Sequence, residues 1–304
     1  MRSPQRGGTF ASPSRLRVRS IALTRAGDFG VKQTTNLPML DLVDRFLLRT
    51  TKHCDDHTLA FRRIDGQPAS KVIYFLPWCT SFRLAWHAGL VPLDFLACYE
   101  MPPAIVCAQP DLCAQAMLAL VSDAERLLRH HNVRGPDAMI VGLSAGTFPG
   151  TYLANRIGAR LCSVASVHRA DLAVWLSPAT RVVKQRAVQM GFELSDYSKA
   201  LSGYHPGENL ARIAPNSVFV IGHRDRYIPR CCKEGLLRAV HDNRGSARVI
   251  ELNKGHFATL AASARYQRAM VATTEPDRAH LARQTGPQWR HRLSPTLGRQ
   301  SIEL

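Results

Sequence analysis

"DAMIVGLSAGTFPG", residues 137–150, sets one serine between two glycines directly after an apolar run. Residues 137–141 read as a buried strand, and "TFPGTYLANRI" (147–157) continues at helical spacing. Ser144 therefore stands where a strand hands over to a helix. A serine hydroxyl is a weak nucleophile unless a base takes its proton and the backbone exposes it, and a sharp strand-to-helix turn does the exposing. Gly142 and Gly146 relieve the close backbone contacts such a turn forces. The turn also aims the first N–H groups of the helix at the reaction centre. The bland alternative is an ordinary glycine-rich βα turn. Pro149 is an oddity, because a proline inside a helix shortens or bends it.

Around this stretch the chain alternates short apolar runs with helical ones. "KVIYFL" (71–76), "DFLACYE" (94–100), "DAMIV" (137–141), "DLAVWL" (171–176), "SVFVIG" (217–222) and "ARVIEL" (247–252) read as strands. "HTLAFRRID" and "KVIYFL" flank "GQPAS" as a hairpin would. Between strands, "DLCAQAMLALVSDAERLLRHH" brings Leu112, Met117, Leu120, Val121 and Leu127 mainly to one face. Near-continuous apolar strands separated by helices predict an α/β fold: a mainly parallel central sheet flanked by helices. Residues 178–210 hold two short amphipathic pieces and no strand, which predicts a small cap inserted over the C-terminal edge of the sheet. "MLDLVDRFLLR" (39–49) predicts a short helix packed on the domain. The expected organisation is a basic, disordered leader over 1–35, one domain over 36–273, and a disordered tail over 274–304.

The charge of +17 narrows the partners only when located along the chain. Residues 1–35 carry seven Lys or Arg against Asp28, and residues 275–304 carry five against three acids. The remainder is modestly basic. A nucleic-acid reader would show a dense basic stripe with interleaved aromatics or a recognised motif, and neither is present; no nucleic-acid partner is expected. The absence of any apolar run of about 18 residues argues against a membrane span. The leader lacks the apolar core of a secretory signal, so the expected location is cytoplasmic, or organellar if the basic N-terminus is a transit peptide. The eight cysteines show no CxxC pair and no zinc spacing, so no metal site and no cofactor are expected. Buried reduced thiols are the expectation, with Cys79 set apart as a candidate for reactivity.

A working serine needs a base, and position rather than number selects among twelve histidines. "SVFVIGHRDRYIP" ends a strand in a loop that carries Asp225. "ARVIELNKGHFATL" ends the next strand with His256 ahead of a helical run. Both side chains then emerge at strand C-terminal ends, the edge where open α/β sheets place their sites. Asp171, at the start of a presumed strand, is the alternative acid and reads more simply as a surface or turn residue. His223, His168 and the His130/His131 pair read as loop or solvated residues. Arg224 and Arg226, flanking Asp225, read as a solvated cluster or as partners for an anionic substrate group.

With these residues in order, positions from about 55 to 270 resemble the α/β-hydrolase family. Strand plus "GLSAG" is similar to its nucleophile elbow, "LAVWLSPAT" to the strand after the elbow helix, "VIGHRDRYIP" to the acid loop and "GHF" to the histidine loop. The resemblance implies Ser144 as nucleophile, His256 as general base and then acid, and Asp225 as the group that holds the imidazole tautomer. It implies an oxyanion hole from the backbone N–H groups of Trp78 and Ala145. Here the sequence departs from the family, with Leu76 and Pro77 where a His-Gly pair is usual. The implied activity is hydrolysis of a small-molecule carboxylic ester or thioester through an acyl-enzyme. Phe82, Trp86, Phe148 and Phe257 are candidates to line an acyl pocket, or simply core. An acyltransferase with the same three residues, and a non-enzymatic ligand- or partner-binding protein of this fold, are the alternatives.

Overall fold

A computed structural model describes residues 58–243 and 247–272. The expected leader, the helix over 39–49 and the expected tail lie outside the described residues. The described chain builds one seven-stranded sheet in the order β1-β3-β2-β4-β5-β6-β7. The strands are β1 (Arg62–Asp65), β2 (Val72–Phe75), β3 (Ala97–Glu100), β4 (Met139–Leu143), β5 (Arg160–Val164), β6 (Ser217–Gly222) and β7 (Ala247–Leu252). All neighbouring pairs are parallel except β1 with β3. Every residue of β2, β4 and β6 is buried, as expected for strands covered on both faces.

The connections are mostly helical: α1 (Phe82–His87), α2 (Pro110–His130), α3 (Thr147–Ile157), α4 (Ala170–Leu176), α5 (Arg181–Gln189), α6 (Leu194–Ala200), α7 (Arg230–Asp242) and α8 (His256–Ala272). The long α2 buries Cys113, Met117, Leu120, Val121, Leu127 and Leu128 on one side, close to the stripe its sequence predicts. Pro149 neither shortens nor breaks α3, which runs for 11 residues. It is the third residue, in the first turn, where no carbonyl of the helix awaits its missing N–H.

Three expectations are corrected. "DLAVWL" is helix α4 rather than a strand, with Ala170, Asp171 and Val174 on its buried side. The strand after the elbow helix is instead β5, "RLCSV", entered from the left-handed Gly158 that ends α3. Arg160 and Ser163 break its apolar run, so it does not stand out in the sequence. The hairpin is absent: β1 pairs antiparallel with β3, and β2 runs between β3 and β4. "GQPAS" joins strands that are not neighbours because Gly66 and Gln67 donate to the carbonyls of Leu96 and Phe95, on the approach to β3. The expected cap region does hold α5 and α6 and no strand, but its helical excursion starts earlier, at α4.

Candidate active site

Ser144 follows the last residue of β4 and opens a 3-10 turn, Ser144–Gly146, that leads into α3. Its φ is +54°, a left-handed conformation that costs an L-residue about 1–2 kcal/mol. Packing holds it there. A Cβ on Gly146 would lie 2.3 Å from the Phe75 carbonyl oxygen, and one on Gly142 would lie 2.8 Å from the Gly146 carbonyl oxygen and the Thr147 Cα. Both glycines are thus required by contact with neighbouring backbone, as the sequence predicts. Thr147 Oγ1 donates to the Ser144 carbonyl at 2.6 Å and ties the turn to the helix.

Asp225 lies in the loop after β6 and is 3% exposed. Its Oδ1 accepts the Tyr227 and Ile228 amides at 2.8 and 3.2 Å, which fixes the carboxylate plane. Its Oδ2 meets His256 Nδ1 at 2.7 Å. His256 is the first residue of α8, 4% exposed, and its Nε2 lies 3.0 Å from Ser144 Oγ. A carboxylate only accepts, so Nδ1 carries the imidazole proton and Nε2 presents a lone pair to the serine hydroxyl. The structure therefore brings Ser144, Asp225 and His256, distant in sequence, into one hydrogen-bonded line.

Helix α8 is itself held from below. Tyr74 of β2 donates through Oη to Gln267 Oε1 at 2.8 Å, and Gln267 Nε2 donates to Ser263 Oγ at 3.0 Å, all buried. Thr259, Ser263 and Gln267, spaced by four, form a polar stripe on the buried face of α8. A Cβ on Gly222 would lie 2.3 Å from Thr259 Oγ1, so the glycine that ends β6 lets α8 approach the sheet.

The two expected oxyanion donors lie where the elbow meets the end of β2. A Cβ on Gly146 would also come within 2.7 Å of the Leu76 carbonyl oxygen, so the turn rests on the segment that continues into Pro77 and Trp78. Neither the Trp78 nor the Ala145 N–H meets an acceptor among the described residues. The Trp78 indole N–H is buried and likewise meets none. Cys79 next to it is disulfide-bonded, not the free thiol the sequence suggests. Cys231 is exposed, against the expectation of burial, while Cys98, Cys107, Cys113, Cys162 and Cys232 are buried free thiols. Burial pushes the thiols of Cys162 and Cys232 up to about 12, which makes them poor nucleophiles.

Other candidates separate cleanly. Asp171 is no surface residue: it is fully buried on α4, where Arg169 and the Ser198 hydroxyl bond its carboxylate and His205 Nε2 lies 3.7 Å away. Burial alone would raise its pKa, but these partners outweigh burial and hold it below the usual carboxylate range. It has no place in the Ser144 line and instead ties α4 to α6 through Ser198. His168 is half-buried rather than solvated, and burial lowers its pKa. His223 is an exposed loop residue 3.0 Å from Glu251, and Arg224 and Arg226 are exposed. Of the four aromatics, Phe148 is core and Phe82 packs edge-on against Phe95. Phe257 is partly buried against the Tyr227 and His256 rings, and Trp86 is exposed on α1. Sequence reasoning missed Tyr227, whose ring lies 4.7 Å from that of His256 at 31° between planes. Among the described residues no three His, Cys, Asp or Glu side chains are placed to hold a metal ion.

A mostly parallel sheet covered by helices, with a serine on a strained turn at the end of a central strand, is the α/β-hydrolase fold. Solved structures similar to this chain include an acylaminoacyl peptidase of Pyrococcus horikoshii, at 12% identity and TM-score 0.47, covering 69% of this chain and 38% of the peptidase. They also include an esterase of Pyrococcus furiosus, at 10% identity and TM-score 0.45, covering 73% of this chain and 92% of the esterase. A hydrolase of Pseudomonas aeruginosa is similar at 17% identity and TM-score 0.40, covering 70% and 92%. This chain spans well under half the length of the peptidase. No protein-family model and no curated protein matches the sequence. No helix among the described residues is long and apolar enough to cross a membrane.

Proposed function

We propose that the protein is a serine hydrolase that cleaves a small-molecule carboxylic ester or thioester through an acyl-enzyme. The single observation that carries this reading is the imidazole of His256, bonded at 2.7 Å to Asp225 on one side and at 3.0 Å to Ser144 on the other. In the proposed cycle Ser144 Oγ attacks the acyl carbon while its proton passes to His256 Nε2. Asp225 holds the imidazole in the required tautomer and stabilises the imidazolium. The N–H groups of Trp78 and Ala145 receive the oxyanion. The imidazolium returns the proton to the leaving alcohol or thiol. Water, deprotonated by the same nitrogen, then releases the acid and frees Ser144.

The test is turnover of a soluble short-chain p-nitrophenyl ester and of an acyl thioester. Asp225→Asn should lower kcat by about 10⁴ through the wrong tautomer, and Ser144→Ala by at least as much. Turnover unchanged in either variant would refute the assignment. The acyltransferase alternative uses the same three residues and is separated by added alcohols: new ester in place of free acid identifies it.

A further inference from the structure

Six large apolar side chains stand exposed among the described residues: Leu84, Trp86, Leu176, Val182, Val188 and Met190. Single exposed apolar residues need no explanation, but these are not scattered. Leu84 and Trp86 lie on α1, in the connection that leaves β2. The other four lie on α4, on α5 and at the residue that caps α5, all in the connection that leaves β5. In the sheet β2 and β5 are the two neighbours of β4, and all three run parallel. Both connections therefore leave at the edge where Ser144 stands, one on either side of it.

The same two segments carry more cations than acids. Residues 76–94 and 172–193 hold Arg83, Arg181, Lys184 and Arg186 against the exposed Asp94 and Glu193, and α5 itself holds three of the cations and no acid. Arg83 and Arg181 are exposed and form no ion pair with a described residue, and Lys184 Nζ lies 5.1 Å from the Trp175 ring centroid. On α5, Val183 and Ala187 face the core, while Arg181, Val182, Gln185 and Val188 face solvent. A surface helix ordinarily shows only polar residues there. On α5, apolar tips among cations match a surface that offers acyl chains beneath negative headgroups.

We infer that the rim formed by α1 and the α4–α5 segment docks on an anionic lipid bilayer, presenting the site to ester-bearing amphiphiles held there. The docking stands on the surface alone; the delivery of substrate to Ser144 rests on the serine-hydrolase reading. The test uses the full chain with Ser144→Ala, so that vesicles stay intact, and co-sedimentation with two kinds of vesicle: phosphatidylcholine alone, and phosphatidylcholine with about a quarter phosphatidylserine. The basic residues 1–35 are common to every variant, so the readout is the difference between variants. The parent should partition onto the anionic vesicles far more than onto the neutral ones. Arg181→Gln with Lys184→Gln, and separately Val182→Ser with Val188→Ser, should each weaken that partition at least about fivefold. In the active enzyme the same pairs should leave turnover of a soluble short-chain ester unchanged, which also shows that they fold. Partition unaffected by both pairs, or equal on neutral and anionic vesicles, overturns the inference. So does a change in oligomeric mass by sedimentation velocity without a change in vesicle binding, which would make the rim a face between copies of this chain. Vesicle binding by a protein that turns over neither soluble nor vesicle-borne ester would uphold the docking and overturn the delivery.

Discussion

At the scale of single residues the site depends on how rigidly His256 is held, since a small rotation would move Nε2 away from Ser144. Asp225 fixes one edge of the ring. Tyr227 covers one face at 4.7 Å, and Phe257 meets the imidazole edge-on at 5.4 Å. An aromatic face also favours the imidazolium that forms as the serine proton arrives. Tyr227→Leu should therefore lower kcat about tenfold while KM changes little, and Tyr227→Phe should keep the parent rate. Steady-state kinetics on a soluble ester decides this; a Phe variant as slow as the Leu variant would argue against the ring. Ser144, Gly142 and Gly146 were legible because only a tight turn makes that residue pattern useful. Asp225 and His256 were legible because each follows a strand. Tyr227 was not, because nothing in "HRDRYIP" tells which way a ring two residues past the acid will fold.

Helices and strands account for the main errors of reading. Over six residues a period of 2 and a period of 3.6 give nearly the same apolar pattern, so "DLAVWL" reads as a strand. Strand pairing is set by the whole sheet, which is why two runs joined by a plausible turn need not form a hairpin. The buried face of α8 mixes Thr259, Ser263 and Gln267 with Leu260 and Met270, so the helical run after His256 does not show in the sequence which of its faces meets the sheet. The cap connection has a pH dependence of its own. His205 is 3% exposed, and burial lowers its pKa although the Asp171 and Glu208 carboxylates oppose the shift and Arg169 adds to it. His168 is lowered in the same sense. Both imidazoles are neutral in the fold and protonate more readily in the unfolded chain. Stability from this source is complete above about pH 6.5 and falls as pH drops below it. Chemical denaturation between about pH 7.5 and 5.5 should show that slope, and His205→Gln should reduce it. An identical slope in the variant would remove His205 from the account.

The whole molecule gathers its chemistry at one edge of one sheet. Parallel strands β4 and β6 deliver Ser144 and the Asp225 loop to that edge, and β7 delivers His256 there at the start of α8. The α/β class and the Ser-Asp-His order could be read from the chain. The strand order could not, because which strands become neighbours depends on helix packing that no local pattern records. The central claim is that Ser144 is the nucleophile of this arrangement. It is tested most directly by reacting the folded protein with a fluorophosphonate and locating the adduct by peptide mass spectrometry. The account predicts one adduct, on Ser144, lost in Ser144→Ala and formed far more slowly in His256→Ala. An adduct on another residue, or equal labelling of wild type and Ser144→Ala, would contradict it.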